Sequence, residues 1–439
     1  MRILIVNKFY FGTGGPEHYL FSLTRMLEDL GHEVIHFSVE ATKNQPSRHS
    51  SYFVSSPVGP DDYDMRLAQK HMSLAGKVKV AGRAIYSREA YNKLRKLIRD
   101  TRPDVVYVLN FTSYLSPSVI DAAHDEHVPV VVQLLCFDEI CANNVFLRDN
   151  QVCTLCLNHK KYHGIVHRCV NGSLSASVAR VAAMYYHDAI GVYNRVTAYS
   201  APSQFMVKMM VEDGFPANKF HHIPLFVDVS RFKPLPPGVP ASDYILYFGR
   251  VAPDKGVSTL VEAYALLGPG APPLVLMGWP EEAELTRLQD RCRELGLTNV
   301  HFIGPKQGDE MVSIVQHARV VVVPSIWFEN TPHTVYEAFA CGRPVIATNI
   351  GSLPEQVLHE HNGLLFNLKD PQDLARQLTR VLQEPAFADW MGANGLQMVR
   401  GEFNSDLHVH RTLDLFSNLI RGNTMEMPAT AIRRGTESH

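Results

Sequence analysis

The sequence predicts an α/β protein made of two βαβ domains that face each other across a cleft. Three observations carry this. Short apolar runs of strand length alternate with amphipathic helical stretches in both halves, the pattern of parallel sheets. A stretch with five prolines, 224–240, separates the two halves. The chain has 439 residues, more than the roughly 250–300 that one hydrophobic core holds.

The first half opens with an apolar strand, 2–7, that runs into the turn Phe11-Gly12-Thr13-Gly14-Gly15. Leu20, Leu23, Leu27 and Leu30 then recur at helical spacing, and Gly31 stops that helix. Residues 33–38, 104–109, 128–135 and 197–200 read as further strands, and 83–99 as a basic helix. The polar segment 41–64 is longer than an ordinary βα loop. After the proline-rich stretch the alternation restarts. Strands are expected at 244–248, 274–277, 300–303, 320–323 and 345–348, with helices at 258–267 and 282–295 between them. Leu374, Leu378, Val381 and Leu382 mark a later amphipathic helix. The expected division is 1–225, 226–405, a helix at 406–422 packing back on the first domain, and a frayed tail at 423–439. In folds of this kind ligands bind at the carboxyl ends of the strands.

Composition narrows the function classes. The chain is 46% hydrophobic and 20% charged, which excludes general disorder. With 42 Lys and Arg against 44 Asp and Glu, the net charge is −2, so no global charge points to nucleic acid. No apolar run reaches the roughly 18–20 residues of a spanning helix. The N-terminus lacks the pattern of a signal peptide, so a cytoplasmic location is expected.

The most informative string is PSIWFENTPHTVYEAFACGRPVIA, 324–347, which follows the apolar run 320–323. Glu329 and Glu337 are spaced E-x7-E. Pro332 suits a helix start, so residues 330–334 would aim N–H groups at an anion. Upstream, Phe248-Gly249-Arg250 closes a strand, and Lys255-Gly256 follows at a helix start. A planar guanidinium and a point-charge ammonium together suit a diphosphate.

With these motifs the chain resembles the retaining glycosyltransferases of family 4, whose GT-B fold is α/β with two Rossmann-like domains across a cleft. Gly14-Gly15-Pro16-Glu17, the Gly-Arg…Lys-Gly string, Val227-Asp228-Val229-Ser230-Arg231-Phe232, the E-x7-E string and Gly351…Glu355 fall in family order. The resemblance implies a nucleotide-sugar donor and a glycan, lipid-linked or small-molecule acceptor. It implies that Arg250 and Lys255 hold the donor diphosphate, Glu329 contacts the donor sugar and Glu337 binds the ribose hydroxyls. Gly249, Asn330, Thr331, His333 and Thr334 would complete the donor cradle, and Gly14 and Gly15 would let the first loop approach it. It implies no cofactor for catalysis. The leaving phosphate gains negative charge in the transition state, where preorganised cations act most strongly. Glu355 either joins this site or caps a helix.

One family position departs from the pattern. The His expected after the fourth strand of the first domain falls on Leu135. Asp138 or Glu139 could replace it, the sugar could differ, or the chain could bind donor without efficient transfer and serve as a scaffold. A nicotinamide dehydrogenase fits poorly, because the turn at 12–15 lacks the spaced third glycine.

Five of seven cysteines crowd into 136–169. Cys141, Cys153, Cys156 and Cys169 form C-x11-C-x2-C-x12-C. Four thiolates suit a structural zinc; reduced structural thiols are the other reading. Finally, 77–102 carries nine Lys or Arg with Ile85, Leu94, Leu97 and Ile98. Such a segment is either a peripheral contact with an anionic membrane or a solvated helix face with a core stripe.

Overall fold

The computed structural model describes residues 1–422 except 13, 60–73, 113, 237 and 241. The expected tail at 423–439 and the end of the 41–64 loop lie outside the described residues.

The strands are β1 Arg2–Asn7, β2 Glu33–Phe37, β3 Val105–Asn110, β4 Val130–Gln133, β5 Leu147–Arg148, β6 Gln151–Val152, β7 Ala198–Ala201 and β8 Phe220–His222. The second half supplies β9 Ile245–Phe248, β10 Leu274–Met277, β11 Val300–Gly304, β12 Val320–Val323, β13 Val345–Thr348 and β14 Gly363–Phe366. The helices of the first half are α1 Gly15–Asp29, α2 Leu74–Ile85, α3 Arg88–Thr101, α4 Ser118–Asp125, α5 His163–Val166, α6 Leu174–Ala189 and α7 Gln204–Glu212. Those of the second are α8 Val257–Leu266, α9 Glu282–Glu294, α10 Gly308–His317, α11 His333–Ala340, α12 Leu353–Gln356, α13 Pro371–Gln383, α14 Pro385–Glu402 and α15 Ser405–Ile420.

Two six-stranded sheets result, ordered β2-β1-β3-β4-β7-β8 and β11-β10-β9-β12-β13-β14. Every neighbouring pair in them is parallel. Both faces of each sheet are covered, so the central strands are largely apolar. The period of two sorts their residues. Leu4, Val6, Val106, Val108, Val130 and Val132 join one core, while Ile3, Ile5, Val105, Tyr107 and Val131 join the core on the other face. The second sheet divides in the same way, with Ile245, Tyr247, Val320 and Val322 opposite Leu246, Phe248, Val321 and Val323.

In each sheet the strand order reverses once, beside β1 in the first and beside β9 in the second. A crevice opens at such a point, because the connections on its two sides leave in opposite directions. The turn at Gly14 follows β1, the Gly249–Lys255 string follows β9, and the string containing Glu329 follows β12.

The halves meet through specific contacts. The Phe328 ring lies 4.8 Å from Phe205 and 6.0 Å from Phe146. The Glu355 carboxylate accepts the N–H groups of Gln204 (2.8 Å) and Phe205 (2.5 Å), capping α7 of the other half. Glu355 thus acts as a cap in the structure, but across the interface. The last helix, α15, lies against α1: the His408 ring bonds the Tyr19 hydroxyl at 2.9 Å and the Pro224 carbonyl at 2.7 Å.

The basic helix expected at 83–99 is two helices, α2 and α3. Ser87 breaks them, because its hydroxyl accepts the Ala90 N–H as the N-cap of α3. The apolar stripe of α3 is core: Leu94 and Leu97 are fully buried and Ile98 nearly so. Arg95 and Arg99 both pair with Glu126. This helix therefore presents its apolar side to the protein, and the side chains of Lys77 and Lys79 lie outside what the structure describes.

Candidate active site

The second-half crevice is built from two loops that touch. Gly256 has φ of +66°, and a Cβ there would stand 1.9 Å from the Pro324 carbonyl oxygen. Only glycine permits this approach. The Ile326 N–H donates to the Asp254 carbonyl at 3.0 Å and ties the loops together. Lys255 is thereby set over the β12 loop. Its ammonium donates to Glu329 Oε1 at 2.6 Å and sits 4.9 Å from the Trp327 ring centroid. The same oxygen accepts the Ser325 hydroxyl at 2.6 Å and the Trp327 indole N–H at 2.9 Å. Glu329 is buried, and its carbonyl accepts from the Ser352 hydroxyl.

Arg250 stands apart from this pair. Its guanidinium is half-exposed and bonds Asp254 and Glu281, each at 2.6 Å. Gly249 is in the left-handed half of backbone space, φ +148°, and lies against Gly278, where a Cβ would meet the Gly249 carbonyl oxygen at 1.7 Å. Asn330 bridges the halves. Its amide accepts from the Ser203 hydroxyl at 3.3 Å and donates to the Leu134 carbonyl at 3.4 Å.

His333 begins α11, donates to the Phe226 carbonyl, and is held down to about 4, first by burial and then by the charge of His18 on α1. The N–H groups and dipole at the N-terminus of α11 favour an anion. Thr334 lies in the first turn of α11, and Glu337 one turn further. Burial pushes the Glu337 carboxyl up to about 7, with Arg231 opposing. No protein atom lies within 4 Å of a Cβ built on Gly14 or Gly15, so packing within the protein does not require glycine at either.

On the opposite wall, Leu135 lines a small cavity with Asn110, Thr112, Gln133, Cys136, Asp138 and Glu139. Asp138 accepts from Thr112 at 3.0 Å and pairs with Arg180 at 3.5 Å. Glu139 is buried, and one of its carboxylate oxygens lacks a hydrogen bond. Burial and then Asp138 raise its carboxyl to about 8. Of the predicted site residues, the structure pairs Lys255 with Glu329, sets Arg250 apart on Asp254 and Glu281, uses Asn330 to bridge the halves, and places His333, Thr334 and Glu337 on α11. Sequence reasoning missed Ser325 and Trp327, which bond Glu329; both lay inside the motif already singled out.

The four spaced cysteines lie near enough to act on one another electrostatically: Cys156 and Cys169 on Cys141, and Cys153 on Cys156 and Cys169. They are free thiols, and among the described residues no three of His, Cys, Asp and Glu stand in a ready metal-ligand geometry. Cys141 donates to Asn143 Oδ1 at 2.9 Å. Burial pushes the metal-free Cys141 up to about 12 and Cys156 up to about 11; a bound zinc would itself deprotonate such thiols. Among the described residues, no helix is long and apolar enough to cross a membrane.

Comparison with known proteins agrees with this architecture. Residues 13–231 match the model for Glycosyltransferase Family 4, and residues 237–398 the model for Glycosyl transferases group 1. An uncharacterized glycosyltransferase of Methanocaldococcus jannaschii is 30% identical over 174 residues, 39% of this chain and 44% of that protein. A D-inositol 3-phosphate glycosyltransferase of Saccharomonospora viridis is 36% identical over 177 residues, 36% of this chain and 41% of that protein. The chain thus spans less than half the length of these relatives. Among solved structures, the sucrose-phosphate synthase of Thermosynechococcus elongatus superposes with a TM-score of 0.68 at 21% identity, covering 96% of this chain and all of that one (100%). Anabaena HepE in complex with UDP-glucose superposes at 0.63 with 17% identity, covering 95% of this chain and 100% of that one. At these identities the likeness is one of fold.

Proposed function

Because the chain belongs to glycosyltransferase family 4 and has the GT-B fold, we propose that it moves a sugar, with retention, from a nucleotide-sugar donor to a hydroxyl of a glycan, lipid-linked or small-molecule acceptor. The observation that carries this reading is the Lys255–Glu329 pair at the strand-order reversal, in the loop that runs into the N-terminus of α11. HepE, of the same fold, was solved with UDP-glucose, which supports a nucleotide-sugar donor.

The donor diphosphate lies between Lys255 and the N-terminus of α11, and Arg250 exchanges its Asp254 and Glu281 partners for phosphate oxygens. As the glycosidic bond breaks, negative charge grows on the leaving phosphate oxygen. Lys255 and Arg250 stabilise that charge more than the ground state. Glu329 fixes the ammonium and meets the sugar, and Glu337 takes the ribose hydroxyls. The leaving phosphate accepts the acceptor's proton on the same face, which preserves anomeric configuration.

A second reading is a donor-binding scaffold with little transfer, favoured by Leu135 in place of the expected His. A thermal-shift panel of nucleotide sugars, followed by donor hydrolysis and anomer-resolved NMR of any product, separates the two. Stabilisation with turnover and retained configuration supports the transferase. Stabilisation without turnover supports the scaffold, and no stabilisation by any donor defeats both.

A further inference from the structure

We propose that the outer face of α5 and α6, in the first half, docks on the surface of an anionic lipid bilayer. The face is apolar and exposed. Leu174, Val178 and Tyr185 recur on one side of α6, with Tyr186 beside them. Tyr162 and Val166 continue the surface from α5 and the residue before it; Val166 is 64% exposed. The opposite side of α6 is buried through Ser177, Val181, Met184 and His187. The two parts form one surface, because the Tyr162 N–H donates to the Tyr185 hydroxyl and that hydroxyl donates to the His159 carbonyl, each at 3.1 Å.

The charge pattern selects the occupant. Residues 150–187 contain no Asp or Glu, but hold Lys160, Lys161, Arg168, Arg180 and four histidines. Lys161 is buried against Asp213 and Asp188, and Arg180 pairs with Asp138. Lys160 and Arg168 are exposed and have no ion pair among the described residues. Helix α2, which packs on α6, also has no carboxylate in its sequence. The carboxylates beside the face, Glu89 and Asp188, are each paired with a cation, so among the described residues its unpaired charges are Lys160 and Arg168; an apolar face with tyrosines and a net cationic rim suits the boundary between lipid headgroups and acyl chains. A partner protein surface would need an acidic rim with a matching apolar patch. A second copy of this face would set like charges together.

Within the basic stretch at 77–102 the α3 stripe is core, and α2, which packs on α6, is the part that adjoins this face. Arg180 of α6 reaches Asp138 in the crevice wall, so docking here places the crevice one helix from the bilayer. Under the transfer reading of the preceding section, on which this last step rests, that position favours the lipid-linked class of acceptor. Docking itself is independent of the chemistry.

The test is sedimentation of the full chain with vesicles of phosphatidylcholine containing about one third phosphatidylglycerol, against phosphatidylcholine alone. The variants are Val166→Asp with Val178→Asp, and Lys160→Glu with Arg168→Glu. All four positions are exposed, so the melting temperature should hold. The expected result is binding to the anionic vesicles at least about tenfold tighter than to neutral ones. The charge variant should lose roughly fivefold per cation removed, and the apolar variant at least as much. Absence of binding by the parent chain, equal binding to neutral vesicles, or unchanged binding by both variants would each overturn the proposal. So would light scattering that shows a parent dimer and a monomeric Val166→Asp, Val178→Asp protein, because a second copy would then be the occupant. Donor-induced thermal shifts, measured alongside, report on the transfer reading separately.

Discussion

Gly256→Ala offers the sharpest test of the crevice geometry. The added Cβ would stand 1.9 Å from the Pro324 carbonyl oxygen and 3.0 Å from Ile326 Cγ2, while ordinary contact begins at 3.4 Å. The difference, 3.4 − 1.9 = 1.5 Å, must come from separation of the two loops, because the close neighbour is backbone. That separation would stretch the 2.6 Å Lys255–Glu329 contact beyond hydrogen-bond length. The left-handed conformation at φ +66° adds about 1–2 kcal/mol of strain for alanine. The expected outcome is donor turnover lower by about 100-fold, the usual consequence of a 1 Å misplacement. The melting temperature should fall by about 2–4 °C per kcal/mol. The assay is release of nucleoside diphosphate from the best donor of the panel, with differential scanning fluorimetry on the same preparation. Gly14→Ala is the control, since its Cβ would meet no protein atom within 4 Å; it should melt like the parent and still lose donor affinity. Parent-level turnover in Gly256→Ala would refute the claim that this loop contact positions Lys255.

Three further outcomes follow from the same geometry. Lys255→Ala should lower turnover by about 100–1000-fold, because a cation aimed at the leaving oxygen is lost, with only a modest change in melting temperature; equal damage to both would make Lys255 structural. Glu337 must be ionised to accept two ribose hydroxyls, and burial raises its carboxyl to about 7. It is therefore mostly protonated at pH 6 and mostly ionised at pH 8, so donor affinity by calorimetry should rise about tenfold between them and level off above; Glu337→Gln should flatten that profile, and a pH-independent parent would reject the assignment. The linked stability runs the other way, since the folded state holds this proton above the ordinary carboxyl range and loses that stabilisation as pH rises through about 7. Glu355→Ala removes the acceptor for the Gln204 and Phe205 N–H groups and should cost about 1–2 kcal/mol; hydrogen exchange should quicken at the start of α7, and unchanged protection there would show that the cap does not hold the halves together.

The E-x7-E string and the Gly-Arg…Lys-Gly string were legible in the sequence because each lies where a strand runs through a glycine- or proline-marked loop into a helix, and such turns need particular residues at particular offsets. Most strands were legible too, since burial on both faces leaves largely apolar residues in them. The edge strands β8 and β14 escaped notice: each is short, and Phe220–His222 carries two histidines. The break at Ser87 was hidden inside a continuous basic pattern, because a cap is a local bond and leaves periodicity intact.

By itself, the sequence determined the two α/β halves and the strings that follow β9 and β12. It could do so because strand burial, helix periodicity and turn chemistry act over a few residues. Only the tertiary structure decided that Glu355 caps a helix of the other half, and that Asn330 bridges to Ser203 and Leu134. It also decided that the α3 stripe is core while the α6 face is bare, and that Arg250 rests on Asp254 and Glu281. Each of these depends on which surfaces meet after the chain has folded, and pairings between distant segments leave no periodic trace in either one.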